Sequence, residues 1–329
     1  MSSTNTRDAQ WRQQLRDSMS AKERTAIPRA KMPELDPAYR ITCNEEVNQG
    51  LNEEQAVTEA TRCLDCPDPQ CMTGCPVGIN IPGFIKNIQR RNFREAAMVL
   101  KETSALPAVC GRVCPQERQC ESRCIYLKMK KPAVAIGYLE RFAADTQRLS
   151  ASGDLPACQP SNGMRIAVVG SGPAGLSFAG DMIKLGYDVT VYEALHQIGG
   201  VLKYGIPEFR LPNAVVDVEI DTLARMGVTS VKDCIIGETL SYEALRDLGH
   251  DGIFIASGAG LPRFMGIPGE NLINILSSNE YLTRINLMGA GRGDWATPVP
   301  KGDTVAIIGG GNTAMDSVRT ARRMGAKRA

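Results

Sequence analysis

The sequence predicts an α-helical, cysteine-rich domain followed by Rossmann-like α/β domains built on a parallel, doubly wound sheet. Eight cysteines fall between Cys63 and Cys124, where apolar residues such as Phe84, Ile85 and Ile88 recur at helical spacing. Beyond residue 163, short β-branched apolar runs alternate with helical segments, and two of these runs lead into glycine-rich loops. A chain of 329 residues has room for about two domains.

The composition limits the class of protein. A net charge of +2 argues against a nucleic-acid-binding surface built on bulk charge. No apolar run reaches the ~18 residues of a membrane span, and the polar N-terminus has no signal-peptide core. We therefore expect a cytoplasmic protein with neither nucleic acid nor membrane as a partner. Because cytoplasmic thiols stay reduced, the eleven cysteines indicate metal ligands rather than disulfides.

The first half of the chain divides by composition. We expect the polar residues 1–25 to form a mobile arm and residues 26–149 to form the helical domain. Within that domain, Asn52 and Asn92 are predicted helix caps. Residues 150–163 are rich in Ser, Gly and Pro and are predicted to be a linker.

A dinucleotide-binding fingerprint follows the expected strand Arg165–Val169. The first glycine of this loop permits a tight turn, the second lets backbone approach a pyrophosphate, and the third allows close helix–strand packing. Amides at the start of the next helix would face the phosphates. Glu193, after the expected strand Asp188–Tyr192, can accept a hydrogen bond from the ribose. The residues of the loop are Gly170, Ser171, Gly172, Pro173, Ala174 and Gly175.

A second loop of this kind follows the expected strand Val305–Ile308. Two such loops favour two dinucleotides, with FAD bound by residues 164–299 and NADP or NAD by residues 300–329; a single split nucleotide site is the alternative. The sequence supplies one strand and one helix of this second domain, whereas a dinucleotide-binding domain also needs the following strand, which carries the residue that separates NAD from NADP. We therefore expect this second domain to be incomplete. We also expect the truncated chain to be inactive toward NAD(P)H by itself. The candidate binding residues are Gly309, Gly311, Asn312 and Thr313, with Ala314 in place of the third glycine.

The clustered cysteines form two quartets. Prolines follow Cys75 and Cys114, and in two-cluster ferredoxins the proline-flanked last cysteine of a run binds the other cluster. This pattern indicates two interleaved iron–sulfur clusters, with structural zinc as the alternative. Cys43, Cys158 and Cys234 are isolated and are expected to be ordinary thiols. The quartets read Cys63-x2-Cys66-x4-Cys71-x3-Cys75 and Cys110-x3-Cys114-x5-Cys120-x3-Cys124.

Taken together, these motifs resemble the glutamate synthase small-subunit family over roughly residues 40–329. Its relatives include the large subunit of the electron-bifurcating ferredoxin:NADP oxidoreductase and the amino-terminal half of dihydropyrimidine dehydrogenase. The resemblance is carried by RCLDCPDPQCMTGCP, CGRVCPQERQCESRC, VVGSGPAGL, GGVLKYGIPEFRLP, IFIASGA and IIGGGNTAMD.

The resemblance implies a ligand set for two [4Fe–4S] clusters. It gives the second cluster a non-cysteine ligand at Glu140, where a relative has glutamine, and leaves Cys110 spare, although counting cysteines alone would include it. The implied ligands are Cys63, Cys66, Cys71 and Cys124 for the first cluster, and Cys75, Cys114, Cys120 and Glu140 for the second.

The resemblance also implies a function. It places Gly200, Leu202, Arg210 and Gly258 beside the FAD. NAD(P)H would be oxidised through FAD, and two clusters would pass electrons to a large subunit, the glutamate synthase large chain or an equivalent. No side chain is assigned a catalytic role. The alternatives are the bifurcating enzyme, a dihydropyrimidine dehydrogenase input subunit, a disulfide reductase and a zinc-bound interaction module.

Overall fold

A computed structural model gives the fold of residues 5–150, 153–290 and 295–329. The chain divides into two compact units, and the boundary after Cys158 lies inside the predicted linker. The first unit contains Met1–Glu34 and Asn48–Cys158, and the second contains Leu35–Val47 and Gln159–Ala329.

The first unit is helical and the second is built on a sheet. In chain order, the helices up to residue 150 are α1 (Gln10–Asp17), α2 (Ala21–Ala26), α3 (Pro37–Arg40), α4 (Glu53–Arg62), α5 (Gln70–Thr73), α6 (Ile81–Gln89), α7 (Phe93–Lys101), α8 (Pro107–Val113), α9 (Ile125–Lys128) and α10 (Ile136–Leu149). Short 3-10 turns cover Gln116–Arg118 and Glu121–Arg123. The later helices are α11 (Pro173–Lys184), α12 (Val201–Tyr204), α13 (Asn213–Met226), α14 (Tyr242–Asp247), α15 (Ser278–Asn286) and α16 (Asn312–Arg323).

The two predicted helix caps are confirmed. Asn52 Oδ1 accepts from the amide of Gln55 at 2.9 Å, and Gln55 Oε1 accepts from the amide of Asn52 at 3.0 Å, which closes a capping box at the start of α4. Asn92 Oδ1 accepts from the amide of Glu95 at the start of α7. The core of the first unit lies between α4, α6, α7 and α10, where Phe84 and Ile88 are fully buried.

Two expectations about the first half of the chain are corrected. The expected mobile arm, residues 1–25, contains α1 and all of α2 except its last residue, and Arg12 and Arg24 are buried. Ion pairs and hydrogen bonds hold this segment in place. Its low apolar content therefore did not indicate mobility. Residues 35–47, which we expected in the helical domain, belong to the second unit.

Backbone and side-chain groups later in the second unit hold residues 35–47. The amide of Val47 donates to the carbonyl of Phe209 at 2.9 Å. The Arg323 guanidinium lies 3.7 Å from the centroid of the Phe209 ring, and its Nε donates to the carbonyl of Cys43 at 2.8 Å. These partners lie more than 160 residues away in the sequence, so local patterns could not predict them.

A four-stranded parallel sheet forms the second unit, as the sequence predicts. Its strands are β1 (Arg165–Val169), β2 (Asp188–Tyr192), β3 (Thr229–Val231) and β4 (Gly252–Ile255), in the order β3-β2-β1-β4. Ala167 pairs with Thr190 on one side and with Ile253 on the other. The carboxyl ends of β1 and β4 therefore meet at one edge of the sheet, beside the first glycine-rich loop.

The expected strand Val305–Ile308 differs from the structure. Within residues 295–329, Thr304 forms an isolated parallel bridge with Arg328, and no strand is present. The amide of Val305 donates to the carbonyl of Arg328 at 2.9 Å. The chain segments on either side of α16 thus pair at one position, but residues 305–308 have no ladder of hydrogen bonds.

None of the helices in the described ranges is long and apolar enough to cross a lipid bilayer.

Candidate cofactor sites

The first cysteine group lines one cavity of about 500 Å³. Cys63 ends α4, Cys66 lies in the loop that follows, Cys71 lies in α5, and Cys124 precedes α9. The cavity wall between them is largely apolar and includes Ile81, Ile85, Val134 and Ile136. The structure therefore brings together the four cysteines that the resemblance assigns to one cluster.

The second group lies around α8 and α10. Burial, followed by the charges of Glu140 and Cys75, raises the pKa of the Cys114 thiol to about 11. Burial and Glu140 also raise the pKa of Cys120, and Cys114 and Cys75 contribute to that increase. These four residues are thus close enough to interact, as the implied second ligand set requires. Cys110, which the resemblance leaves spare, lies in α8 one turn before Cys114.

The electrostatics of both groups fit a thiolate-bound metal cluster. Burial, followed by the charges of Cys63 and Cys124, raises the pKa of Cys66 to about 11, and the pKa of Cys71 is raised further by the same causes. Several thiolates in one apolar cavity repel each other, and bound iron would supply the compensating positive charge.

Among the described residues, no three Cys, His, Asp or Glu side chains are grouped so as to hold a single metal ion.

The first glycine-rich loop has the geometry that its fingerprint predicts. Gly170 has φ +100°, and a Cβ there would lie 2.4 Å from the carbonyl oxygen of Ala256 at the end of β4. A Cβ at Gly175 would lie 2.0 Å from the carbonyl oxygen of Gly170. A Cβ at Gly172 would meet no atom within 4 Å, so this position faces the open space that a pyrophosphate would need.

Two further glycine segments approach this loop. Gly200 has φ +54°, and a Cβ there would lie 2.7 Å from Cα of Gly172. Gly258 has φ +74° and faces open space two residues after Ala256. Pro173 and Ala174 are the first two residues of α11, where a missing proline N–H costs nothing. The structure thus brings these predicted FAD residues to one edge of the sheet.

Glu193 is buried and ties the loop to β2. Its Oε2 accepts from the amide of Ser171 at 2.9 Å and from Ser171 Oγ at 2.5 Å, and its Oε1 accepts from the amide of Leu195. Ser171 Oγ in turn accepts from the amide of Gly199 at 2.9 Å. Sequence reasoning missed this role of Ser171, and the ribose contact of Glu193 stays a prediction.

The other residues predicted near FAD have partners within the protein. Leu202 in α12 is buried. Arg210 pairs with Asp316 of α16, with 2.5 Å between Nη1 and Oδ2. A flavin contact of either residue stays a prediction.

The second glycine-rich loop opens α16. Gly309 has φ +137°, and a Cβ there would lie 3.3 Å from Cβ of Ala314. Gly311 is the N-cap and faces open space, and Asn312 and Thr313 are the first residues of the helix. Amides at this helix start would face a bound phosphate, and that contact stays a prediction.

Comparison with known proteins also divides the chain into an iron–sulfur part and a nucleotide-binding part. Residues 40–151 match the family described as dihydropyrimidine dehydrogenase domain II, 4Fe-4S cluster. The chain is 36% identical over 305 residues to the glutamate synthase [NADPH] small chain of Azospirillum brasilense, which covers 90% of this chain and 62% of that protein. It is 37% identical over 286 residues to the NAD-dependent dihydropyrimidine dehydrogenase subunit PreT of Salmonella typhimurium, covering 85% and 65%.

The chain therefore spans a little under two thirds of the length of these relatives. The predicted resemblance is confirmed, as are the predicted cofactor classes: a 4Fe–4S cluster in the helical unit, and FAD and NAD(P) in the unit that follows. Residues 164–329 match the family described as pyridine nucleotide-disulphide oxidoreductase, and the chain belongs to that family.

Proposed function

We propose that this iron–sulfur flavoprotein is the electron-input subunit of an NAD(P)H-dependent enzyme, namely the small chain of an NADPH-dependent glutamate synthase. It would pass electrons from NAD(P)H through two [4Fe–4S] clusters to a large electron-accepting subunit in the cytoplasm. The observation that carries this proposal is the cavity shared by Cys63, Cys66, Cys71 and Cys124 beside a second group that contains Glu140. The relatives at 36–37% identity support it.

The chain's own residues would bind and orient the cofactors. When bound, FAD exchanges a hydride for single electrons, which iron–sulfur clusters can carry. Gly170, Gly172 and Gly200 give the dinucleotide access to backbone amides, and Gly309 and Gly311 do the same for NAD(P)H. The cluster thiols, of which Cys120 is buried and the others are half-buried, would bind the iron.

Metal analysis of cysteine variants tests the ligand set. We expect about eight iron atoms per chain, with acid-labile sulfide, from two [4Fe–4S] clusters. Cys71→Ser and Cys114→Ser should each lower the iron content by about half, since each removes a ligand from a different cluster. Cys110→Ser is the matched control and should keep the full content. Zinc without iron, or equal loss in all three variants, would contradict the proposal.

The similarity to PreT supports a second candidate, an electron-input subunit of dihydropyrimidine dehydrogenase. The large subunit of a bifurcating ferredoxin:NADP oxidoreductase is a further alternative of the same kind. Co-expression with each candidate partner distinguishes them. NADPH-dependent glutamate formation with a glutamate synthase large chain supports the first proposal. NADH-dependent pyrimidine reduction with a dihydropyrimidine dehydrogenase subunit supports the second instead.

A further inference from the structure

A buried carboxylate lies inside the first cysteine motif. Asp65 stands between Cys63 and Cys66, and its side chain is fully buried. Its backbone has φ +53°, in the left-handed region that non-glycine residues rarely adopt. A buried charge and a strained backbone persist only where the surrounding structure holds them.

Three arginines from the N-terminal segment hold Asp65. Arg12 Nη2 donates to Oδ1, and Arg12 Nε lies 3.3 Å from Oδ2. Arg16 Nη1 donates to Oδ2 at 2.6 Å. Arg7 Nε donates to the backbone carbonyl of Asp65 at 3.0 Å. We call Asp65, Arg12 and Arg16 the arginine clamp.

The clamp is fixed to the helical core. Arg12 Nη1 donates to the carbonyl of Asn5 at 2.7 Å. The Asn5 side chain accepts from Asn87 Nδ2 of α6 at 2.8 Å and donates to Glu95 Oε1 of α7 at 2.6 Å. The N-terminal segment therefore has defined partners on two core helices.

Carbonyls at the end of α4 and just after it are held in a similar way. The carbonyl of Thr61 accepts from Arg24 Nη1 at 2.7 Å. The carbonyl of Cys63 accepts from the buried Lys86 Nζ at 2.5 Å. The backbone that presents Cys63 is thus fixed by side chains outside the loop.

We propose that the arginine clamp is a positioning device for the first cluster. By fixing the left-handed turn at Asp65, it directs Cys63 and Cys66 into the shared cavity, so residues 5–26 belong to the cluster site. This inference rests on the proposed function, which assigns a cluster to that cavity. Partners that orient metal ligands typically contribute 10- to 100-fold to metal affinity.

Iron release from the full chain tests the proposal. Asp65→Gly keeps a residue that tolerates positive φ but removes the carboxylate, and Arg12→Gln and Arg16→Gln remove one donor group each. We expect the first cluster to lose iron to a chelator on the order of 10-fold faster in Asp65→Gly and Arg12→Gln, and faster than in the control in Arg16→Gln. The EPR spectrum of the reduced first cluster should also change. Arg94→Gln, which breaks the exposed pair with Asp154 in the same unit, is the control and should do neither.

The outcomes separate the two proposals. Wild-type chain without iron overturns the proposed function. Wild-type chain with iron, and variants that match Arg94→Gln in release rate and EPR spectrum, overturn the clamp while leaving the function intact. If Asp65→Gly does not fold, Arg16→Gln decides, because Arg16 lies at the partly exposed edge of the clamp and its loss leaves Arg12 in place. Wild-type behaviour of that folded variant then overturns the clamp.

Discussion

Arg210 Nη1 lies 2.5 Å from Asp316 Oδ2, and this ion pair joins the loop before α13 to the first turns of α16. Each residue belongs to a motif predicted to bind a different dinucleotide. Asp316 is almost fully buried, and its second oxygen, Oδ1, has no hydrogen-bond partner in the described residues. The pair therefore connects the predicted FAD and NAD(P) segments within the second unit.

Removing the carboxylate should destabilise this connection. Asp316→Asn leaves the half-buried Arg210 guanidinium without a counter-charge, and we expect a loss of about 1–3 kcal/mol in the free energy of unfolding. Urea unfolding followed by circular dichroism measures it. Asp303→Asn breaks the exposed pair with Lys327 and should change stability by less than about 0.5 kcal/mol. Equal effects of both substitutions would show that burial of the Arg210 pair does not matter.

Alanine substitutions at two glycines of the first loop should have separate effects, one on FAD binding and the other on folding stability. In Gly172→Ala the added methyl meets no protein atom, so the protein should fold normally but bind FAD more weakly. In Gly175→Ala the methyl would lie 2.0 Å from the carbonyl of Gly170, and we expect a loss of about 1–3 kcal/mol in stability. FAD titration and thermal unfolding measure the two effects. Normal FAD affinity in a folded Gly172→Ala variant would contradict the predicted pyrophosphate site.

Glu140 should set the charge of the second cluster. Glu140→Gln keeps a ligand oxygen but removes one negative charge, so we expect retained iron and a higher reduction potential. Glu140→Ala should lose about half the iron, whereas Glu117→Ala, which changes another carboxylate near Cys114, should keep it. Iron analysis and an EPR-monitored redox titration measure these effects. An unchanged potential in Glu140→Gln would argue against Glu140 as the eighth ligand.

His250 should make the second unit less stable in acid. Burial, followed by the charge of Arg165, lowers the pKa of His250 below its ordinary value of 6.5, and its Nε2 lies 2.9 Å from the Tyr192 hydroxyl. The unfolded chain therefore takes up this proton first as the pH falls, so stability is full above pH 6.5 and declines below it.

The decline from this residue should not exceed about 1.4 kcal/mol per pH unit. His250→Gln should flatten the dependence of urea midpoint on pH below 6.5. His196→Gln, at an exposed position, should keep the wild-type dependence. If both variants keep the wild-type dependence of the urea midpoint on pH, a group other than His250 causes the loss of stability in acid.

Local patterns in the sequence were sufficient for the elements that depend on neighbouring residues. The bounds of β1 and β2 agree residue for residue with the predicted strands, because short β-branched apolar runs specify buried strands, and Gly170 marks the end of β1. The caps at Asn52 and Asn92 are equally local, since each bonds an amide three residues away.

The sequence by itself determined the helical and α/β halves, the parallel sheet and the two glycine-rich loops, because periodicity, caps and positive φ are short-range properties. The tertiary structure alone decided that residues 10–26 are folded, that residues 35–47 belong to the second unit, and that Arg210 meets Asp316. From sequence alone, a charged side chain is predicted to be exposed unless its partner is known. Here the ion-pair partners of Arg12, Arg16 and Arg210 lie 49 or more residues away, where no local pattern can reveal them.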